Sequence, residues 1–237
     1  MSALLEVRVL SAQDAAPAEA GGADRLEVVG VLDDGALSPE PRLVAQIRSC
    51  TSLHLRPVVR LRPGYSTDGG EATRLRGLIS AYLDAGADGV TLGFVNGLGA
   101  VDVEVVSALL DGVVCPWTFS RAFDAVLDVP AAWRAVMSLP GLDGVRTAGS
   151  ARDLEHGLDD LLAVLRDEPA RARLVVADGA LLPDQVPWLA RAGVRQFHLE
   201  GQVRPGGSAR AYVDESLVRS WRLLVDAQAA SAARHRG

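Results

Sequence analysis

The sequence predicts a (β/α)8 TIM barrel, a single α/β domain spanning residues 1–237. Three observations carry that expectation. Short β-branched runs alternate strictly with longer amphipathic runs, eight of each, an order that generates right-handed βαβ units. Each unit takes about thirty residues, the size of a compact barrel. A short tag recurs before every second strand, as a quasi-fourfold barrel would show. Its copies are Gly22-Ala23-Asp24, Gly86-Ala87-Asp88, Gly141-Leu142-Asp143 and, more loosely, Ala192-Gly193-Val194. The plainer reading, that Gly-Ala-Asp is a common helix-to-strand turn, stands beside it.

The elements follow in order. The first strand, 4–10, sets Leu5, Val7 and Val9 on one face and Glu6 and Arg8 on the other. Helix 12–21 stops at a glycine pair, where glycine accepts the left-handed conformation that ends helices. Strand 24–30 places Glu27 between Leu26 and Val28. Helix 39–50 opens on Ser38-Pro39, an N-cap followed by proline at the first helical position. Strand 55–63 alternates Val59 and Leu61 with Arg60 and Arg62. Helix 70–85, strand 89–94, helix 102–111, strand 113–119 and helix 129–138 continue the alternation. Strand 144–149 leads into helix 151–166, where Ser150 and Asp153 have capping-box spacing. Strand 173–179, helix 183–192, strand 196–201 and helix 214–233 close the set, and the tail 229–237 is expected to fray.

Composition excludes several function classes. All 24 basic side chains are arginine; there is no lysine. That removes Schiff-base and lysine general-base chemistry and any P-loop, which needs a Lys on the phosphates. A net charge of −6 with scattered arginine argues against nucleic-acid binding, which needs a basic stripe. No apolar run reaches the roughly 18 residues of a membrane span, and the first residues lack the pattern of a signal peptide. Two cysteines, Cys50 and Cys115, without a CxxC, point to a reducing compartment, so a cytoplasmic location is expected.

Strand parity makes the interior unusually ionic. Glu6, Arg8, Glu27, Arg60, Arg62, Arg146, His198 and Glu200 point inward, with hydroxyls from Thr91 and Thr118. Most barrels fill this space with branched apolar residues. The charges must therefore pair with one another or with a ligand, since an unpaired buried charge costs roughly several kcal/mol. Ser120, Arg121 and Asp124 close the fifth strand at the C-terminal mouth, where sites of this fold lie; Arg121 and Asp124 have the spacing of a loop-shaping ion pair. Glycine turns at Gly149-Ser150 and Gly206-Gly207-Ser208 are candidate phosphate cradles, or plain loops. His54, His156 and His235 read as surface residues, and Trp117, Trp133, Trp188 and Trp221 as packing residues.

Five segments in order resemble the CutC family, named for copper homeostasis. Residues 26–39, Leu-Glu-Val-Val-Gly through Ala-Leu-Ser-Pro, resemble its "ELC…GGLTPS" segment. Val59-Arg60-Leu61-Arg62-Pro63-Gly64-Tyr65-Ser66 resembles "IRPR…YS", and Thr118-Phe119-Ser120-Arg121-Ala122-Phe123-Asp124 resembles the signature "TFHRAFD". Gly144-Val145-Arg146-Thr147-Ala148-Gly149-Ser150 is similar to "RVLTSG", and Phe197-His198-Leu199-Glu200 to "EVHSS". The resemblance covers about residues 4–201. It implies a TIM barrel, a role in copper homeostasis, copper binding and a homo-oligomer. Two departures touch metal chemistry: the family's cysteine after the second-strand glutamate is Val28 here, and its signature histidine is Ser120. Copper in the cytosol takes thiolate, thioether or imidazole ligands, and this mouth offers His198.

Three readings follow. One is a metal site of His198, Glu27 and Glu6, for copper by resemblance or for another divalent ion. The second is a barrel enzyme whose arginines clamp a small anionic or phosphorylated metabolite. The third is a non-catalytic scaffold with an ion-pair core.

Overall fold

The computed structural model describes residues 3–30 and 36–234. Eight strands form one sheet: β1 (Leu4–Val9), β2 (Arg25–Val28), β3 (His54–Pro57), β4 (Val90–Leu92), β5 (Trp117–Phe119), β6 (Leu142–Thr147), β7 (Val175–Ala177) and β8 (Gln196–Leu199). Between and after them run α1 (Ala15–Gly21), α2 (Pro41–Arg48), α3 (Gly69–Asp84), α4 (Val103–Leu110), α5 (Val129–Met137), α6 (Leu154–Asp167), α7 (Val186–Ala192) and α8 (Glu215–Arg234). All strand pairs are parallel, in the order β3-β2-β1-β8-β7-β6-β5-β4. A parallel bridge from Val58 to Thr91 brings β3 to β4 and closes the ring. The predicted (β/α)8 barrel is the observed fold.

Alternation divides the side chains between two compartments. Leu5, Val7, Val9, Leu26, Val28, Leu55, Val90, Leu92, Phe119, Phe197 and Leu199 are buried in the layer between sheet and helices. Glu6, Arg25, Glu27, Arg56, Thr91, Thr118, Arg146 and His198 are buried polar residues of the barrel interior. The apolar layer drives assembly; the ionic interior has to be satisfied internally.

The recurring tag has a physical cause. The amide of Asp24 donates to the carbonyl of Leu5 at 2.9 Å, and its carboxylate accepts the Leu5 amide at 2.7 Å. Asp88 repeats the clamp on Leu55, at 3.1 and 2.8 Å. Gly22 and Gly86 precede them with φ of 97° and 92°, a left-handed turn that glycine adopts without strain. The third copy differs. The β5–β6 register shifts opposite Trp117 and Thr118, and Asp143 turns into the barrel floor.

Several boundaries are corrected. The third strand ends at Pro57 rather than 63, because Arg60 bonds its amide to Ser38 Oγ at 2.8 Å instead of continuing the ladder. Ser38 is therefore not the cap of α2, which starts at Pro41 after Glu40. Helix α6 is capped by Asp153, whose carboxylate accepts the His156 amide at 3.0 Å; Ser150 makes no capping box. The fifth strand starts at Trp117 rather than 113, since Pro116 interrupts the run, and Cys115 lies before it. The tail expected to fray from residue 229 is helical through Arg234, because Ala229 and Ala232 are buried. Among the described residues, no helix is long and apolar enough to cross a membrane.

Candidate functional site at the barrel mouth

The interior charges pair from floor to mouth. At the floor, Arg56 grips Asp143 with both terminal nitrogens, at 3.2 and 2.5 Å. Thr118 reaches the same carboxylate at 3.4 Å, and Gln196 accepts from Arg25 at 3.3 Å. Gly89 makes room for this layer: a Cβ there would meet the Pro116 carbonyl at 2.1 Å and Arg56 Nε at 2.9 Å. One step higher, Glu6 pairs with Arg25 and accepts from His198 Nδ1 at 2.8 Å. Burial pushes the Glu6 carboxyl up, but Arg25, the His198 hydrogen bond and Arg146 outweigh it and hold it well below the usual range. For His198, burial and then Arg146 pull the imidazole down, against Asp178 and Glu6. It is thus neutral near pH 7, and the Nδ1 proton is assigned from its bond to Glu6.

Above this layer Glu27 bridges two guanidiniums. Arg8 Nε binds it at 2.7 Å, and Arg146 Nη1 binds the other oxygen. Arg146 turns its remaining nitrogens on Asp178, at 3.0 and 2.7 Å. Burial pushes Asp178 up, but Arg146, His198 and Arg8 drive its carboxyl far below the usual range. Arg8 also pairs with Glu200, whose side chain is 37% exposed.

A cavity of about 250 Å³ opens over this layer at the C-terminal ends of the strands. Arg8, Arg60, Arg121, Arg146 and Arg152 reach it, as do Glu27, Asp178 and Glu200. Tyr65, Thr91 and Ser120 complete its polar wall, and the Arg60 guanidinium lies 5.1 Å from the Tyr65 ring centre. Thr91 Oγ1 is buried on the cavity side of β4, with no hydrogen-bond partner among the described residues.

The segment Thr118–Asp124 builds one wall. Ser120 Oγ accepts the Ala122 amide at 3.3 Å and caps a short 3-10 turn, Arg121–Ala125. Arg121 pairs with Asp124 and donates to the Ser150 carbonyl at 3.0 Å. Asp124 accepts the Thr147 hydroxyl, and the Ala148 amide at 2.9 Å. Burial raises the Asp124 carboxyl against these partners. Asp124 is a strut between the β5 and β6 loops and does not line the cavity.

The structure thus brings Arg8, Glu27, Arg60, Ser120, Arg121, Arg146 and Glu200 together at the mouth. It leaves out five predicted residues. Glu6, Thr118 and His198 lie buried beneath, and Asp124 lies behind the wall. Arg62 points away, to Glu71 at 3.1 Å and Asp68 at 3.6 Å, because the strand has ended before it. The trio His198, Glu27 and Glu6 is engaged otherwise than expected. The imidazole sits between the carboxylates, Nδ1 on Glu6 and Nε2 at 3.6 Å from Glu27, while arginines hold their other oxygens. Among the described residues, no group of three or more His, Cys, Asp or Glu is arranged to hold a metal ion. Asp178, Tyr65 and Arg152 are mouth residues that the sequence reading missed.

His54 and His156 are partly or well exposed, as expected; His235 and the segment 31–35 of the family resemblance lie outside the described residues. Trp188 is not a packing residue: it is 55% exposed, with Arg191 over its ring.

A model of the CutC family matches residues 3–203. The chain belongs to the CutC family. A CutC family protein of Caulobacter vibrioides is 32% identical over 211 residues, covering 88% of this chain and 85% of that one. A human copper homeostasis protein cutC homolog is 30% identical over 201 residues, covering 82% and 72%. The crystal structure of a CutC from Streptococcus agalactiae, described as a copper homeostasis protein, superposes with a TM-score of 0.74 at 19% identity. It covers 83% of this chain and 97% of its own, a likeness of fold.

Among the described residues, no cysteine, methionine or histidine lines the mouth cavity of this CutC barrel. Val28, at the family's cysteine position, is buried in the helix-facing layer, so even a thiol there would face away from the mouth. Ser120 occupies the mouth position of the signature histidine and uses its oxygen as a cap. Cys50 is exposed after α2, and Cys115 lies before β5, at the opposite end of the barrel, its thiol pushed up by burial.

Proposed function

We propose that this CutC-family barrel binds a small organic anion at its mouth, as a candidate enzyme site, and that the mouth is not a copper site. The observation that carries this reading is the lining of the cavity. Among the described residues, Arg8, Arg60, Arg121, Arg146 and Arg152 face Glu27, Asp178 and Glu200, with Asp124 behind Arg121, so guanidiniums outnumber carboxylates in a partly enclosed space. Guanidinium forks suit carboxylate and phosphate oxygens. The Thr91 hydroxyl, buried without a partner in the same wall, supplies a further donor.

Two carboxylates in the wall are committed within the protein: Glu27 sits between two guanidiniums, and Asp178 is held ionised by Arg146. Glu200 is the acid–base candidate, being bound by Arg8 alone and open to solvent. The lower layers serve the third reading: Glu6, Arg25, Arg56, Asp143 and His198 pair with one another and act as scaffold, with Arg56 Nε and His198 Nε2 left without a hydrogen bond among the described residues. The names of the relatives attach copper homeostasis to them; in this chain the thiols lie away from the mouth and the buried imidazole is engaged. The two free cysteines fit a reducing, cytoplasmic compartment.

The test is calorimetry with inorganic phosphate on the full chain, beside Cu(I) loading under reducing conditions. Phosphate binds one site per chain, and exposed Arg152→Glu weakens it at least tenfold. Stoichiometric retention of Cu(I) with no phosphate binding overturns the proposal.

A further inference from the structure

A second cavity, of about 640 Å³, adjoins the mouth between the loops that follow β7 and β8. Its walls are mainly hydrocarbon: Leu10, Leu181, Leu182, Ala209 and Leu217. Arg8 and Glu200 line both cavities, so their ion pair is the partition between them. The Arg204 and Gln202 side chains of the second cavity are engaged within the protein. Arg204 pairs with Asp14 at 3.1 Å and donates to the Arg8 carbonyl at 3.1 Å. Gln202 accepts the Glu200 amide at 2.9 Å and donates to the Leu181 carbonyl at 3.2 Å. What remains open to a ligand there is mainly apolar surface.

The backbone marks the same place. Ala180, with φ of 56°, is the one non-glycine residue in the left-handed region among the described residues, and it lines this cavity. Alanine takes that conformation at a cost, and such strain gathers at ligand clamps. The turn places Leu181 at the buried back of the cavity and Leu182 at its rim. Gly179, just before it, lets the chain pass Arg121 of the mouth: a Cβ there would lie 2.7 Å from the guanidinium.

We propose that the two cavities form one bipartite site for an amphipathic organic anion. Its phosphate or carboxylate head sits among the mouth arginines. Its hydrocarbon body crosses the Arg8–Glu200 partition and lies against Leu181, Leu182 and Leu217. This rests on the anion reading of the mouth and adds the kind of body the ligand carries. Shared walls, the mainly apolar lining and the strained turn carry it together.

Calorimetry of the full chain with inorganic phosphate and with methyl, propyl, butyl and hexyl phosphate tests it. Affinity rises about twofold to fourfold per methylene, the range expected for a partly to fully buried CH2. Leu182→Asn and Ala209→Gln, both at exposed positions, remove that rise and leave inorganic phosphate binding within about twofold. Equal affinity along the series, with phosphate still bound, overturns the bipartite site and leaves the mouth reading standing. Absence of any phosphate binding overturns both. A chain-length gain that survives both substitutions overturns the placement of the hydrocarbon body.

Discussion

Replacing Glu6 by glutamine keeps the shape of the barrel interior and removes one charge from it. Glu6 is fully buried, and its partners are Arg25, itself 3% exposed, and His198. The glutamine oxygen still accepts from His198, so the damage falls on Arg25. Breaking a buried ion pair from one side typically costs about 3–5 kcal/mol. Arg25 keeps Gln196 at 3.3 Å and Asp143 at 4.0 Å, which places the loss near the lower end, about 3 kcal/mol. With a urea slope of about 3 kcal/mol/M, the unfolding midpoint drops by about 1 M. Phosphate binding is unchanged within about twofold, because Glu6 does not line the mouth. Urea unfolding followed by circular dichroism reads the first effect and calorimetry the second. A midpoint within about 0.2 M of the parent refutes the scaffold role given to the lower ion pairs.

Three further predictions follow from the same structure. Stability falls on acidification in two stages. His198 has a folded pKa below its ordinary 6.5, so the unfolded chain binds the extra proton and stability is lost as pH drops below that value. Glu6 and Asp178, depressed from 4.5 and 3.8, give stabilisation that is complete above those values and lost below them, with Asp124 opposing because its carboxyl is raised. Urea midpoints between pH 7 and 2 measure both stages, and His198→Gln flattens the first. Gly89→Ala lowers stability by about 2–3 kcal/mol through overpacking against Pro116 and Arg56, read from a thermal melt; an unchanged melt rejects the close approach. Val28→Cys, which restores the family residue, leaves Cu(I) retention unchanged because the side chain faces the helix layer; a gained stoichiometric copper places that residue at the mouth instead.

The fold was legible because its signal is periodic: eight alternating units, with turn glycines at the joints. The interior of the barrel was legible for the same reason. Period-two parity placed Glu6, Arg8, Glu27, Arg146 and His198 correctly, and one more step back along β2 and β3 would have added Arg25 and Arg56. The failures lie where periodicity stops. Arg62 follows the end of a strand that Pro57 and the Ser38 contact cut short. Asp178 follows β7 and is defined only by Arg146 from the neighbouring strand. Asp143 enters the floor through a register shift that one sequence does not announce. Two helix starts differ from the serine caps that the sequence suggests: α2 follows Glu40, and α6 is capped by Asp153, as α3, α4 and α5 are by Asp68, Asp102 and Asp128, each aspartate accepting an amide three residues on. Depth was the other missing coordinate. Inward-pointing residues divide into an ion-paired floor and a rim that lines the mouth cavity, and parity cannot tell one from the other.

The central claim is that the rim, unlike the floor, is built for an anion. A crystal structure of the protein grown with millimolar phosphate tests it most directly. The account predicts a phosphate in the mouth cavity, bonded to at least two of Arg60, Arg121 and Arg152 and to the Thr91 hydroxyl, with Glu6 and His198 still bonded to each other beneath it. A mouth without phosphate, or a copper ion coordinated by His198 after the Glu6 bond has opened, contradicts it.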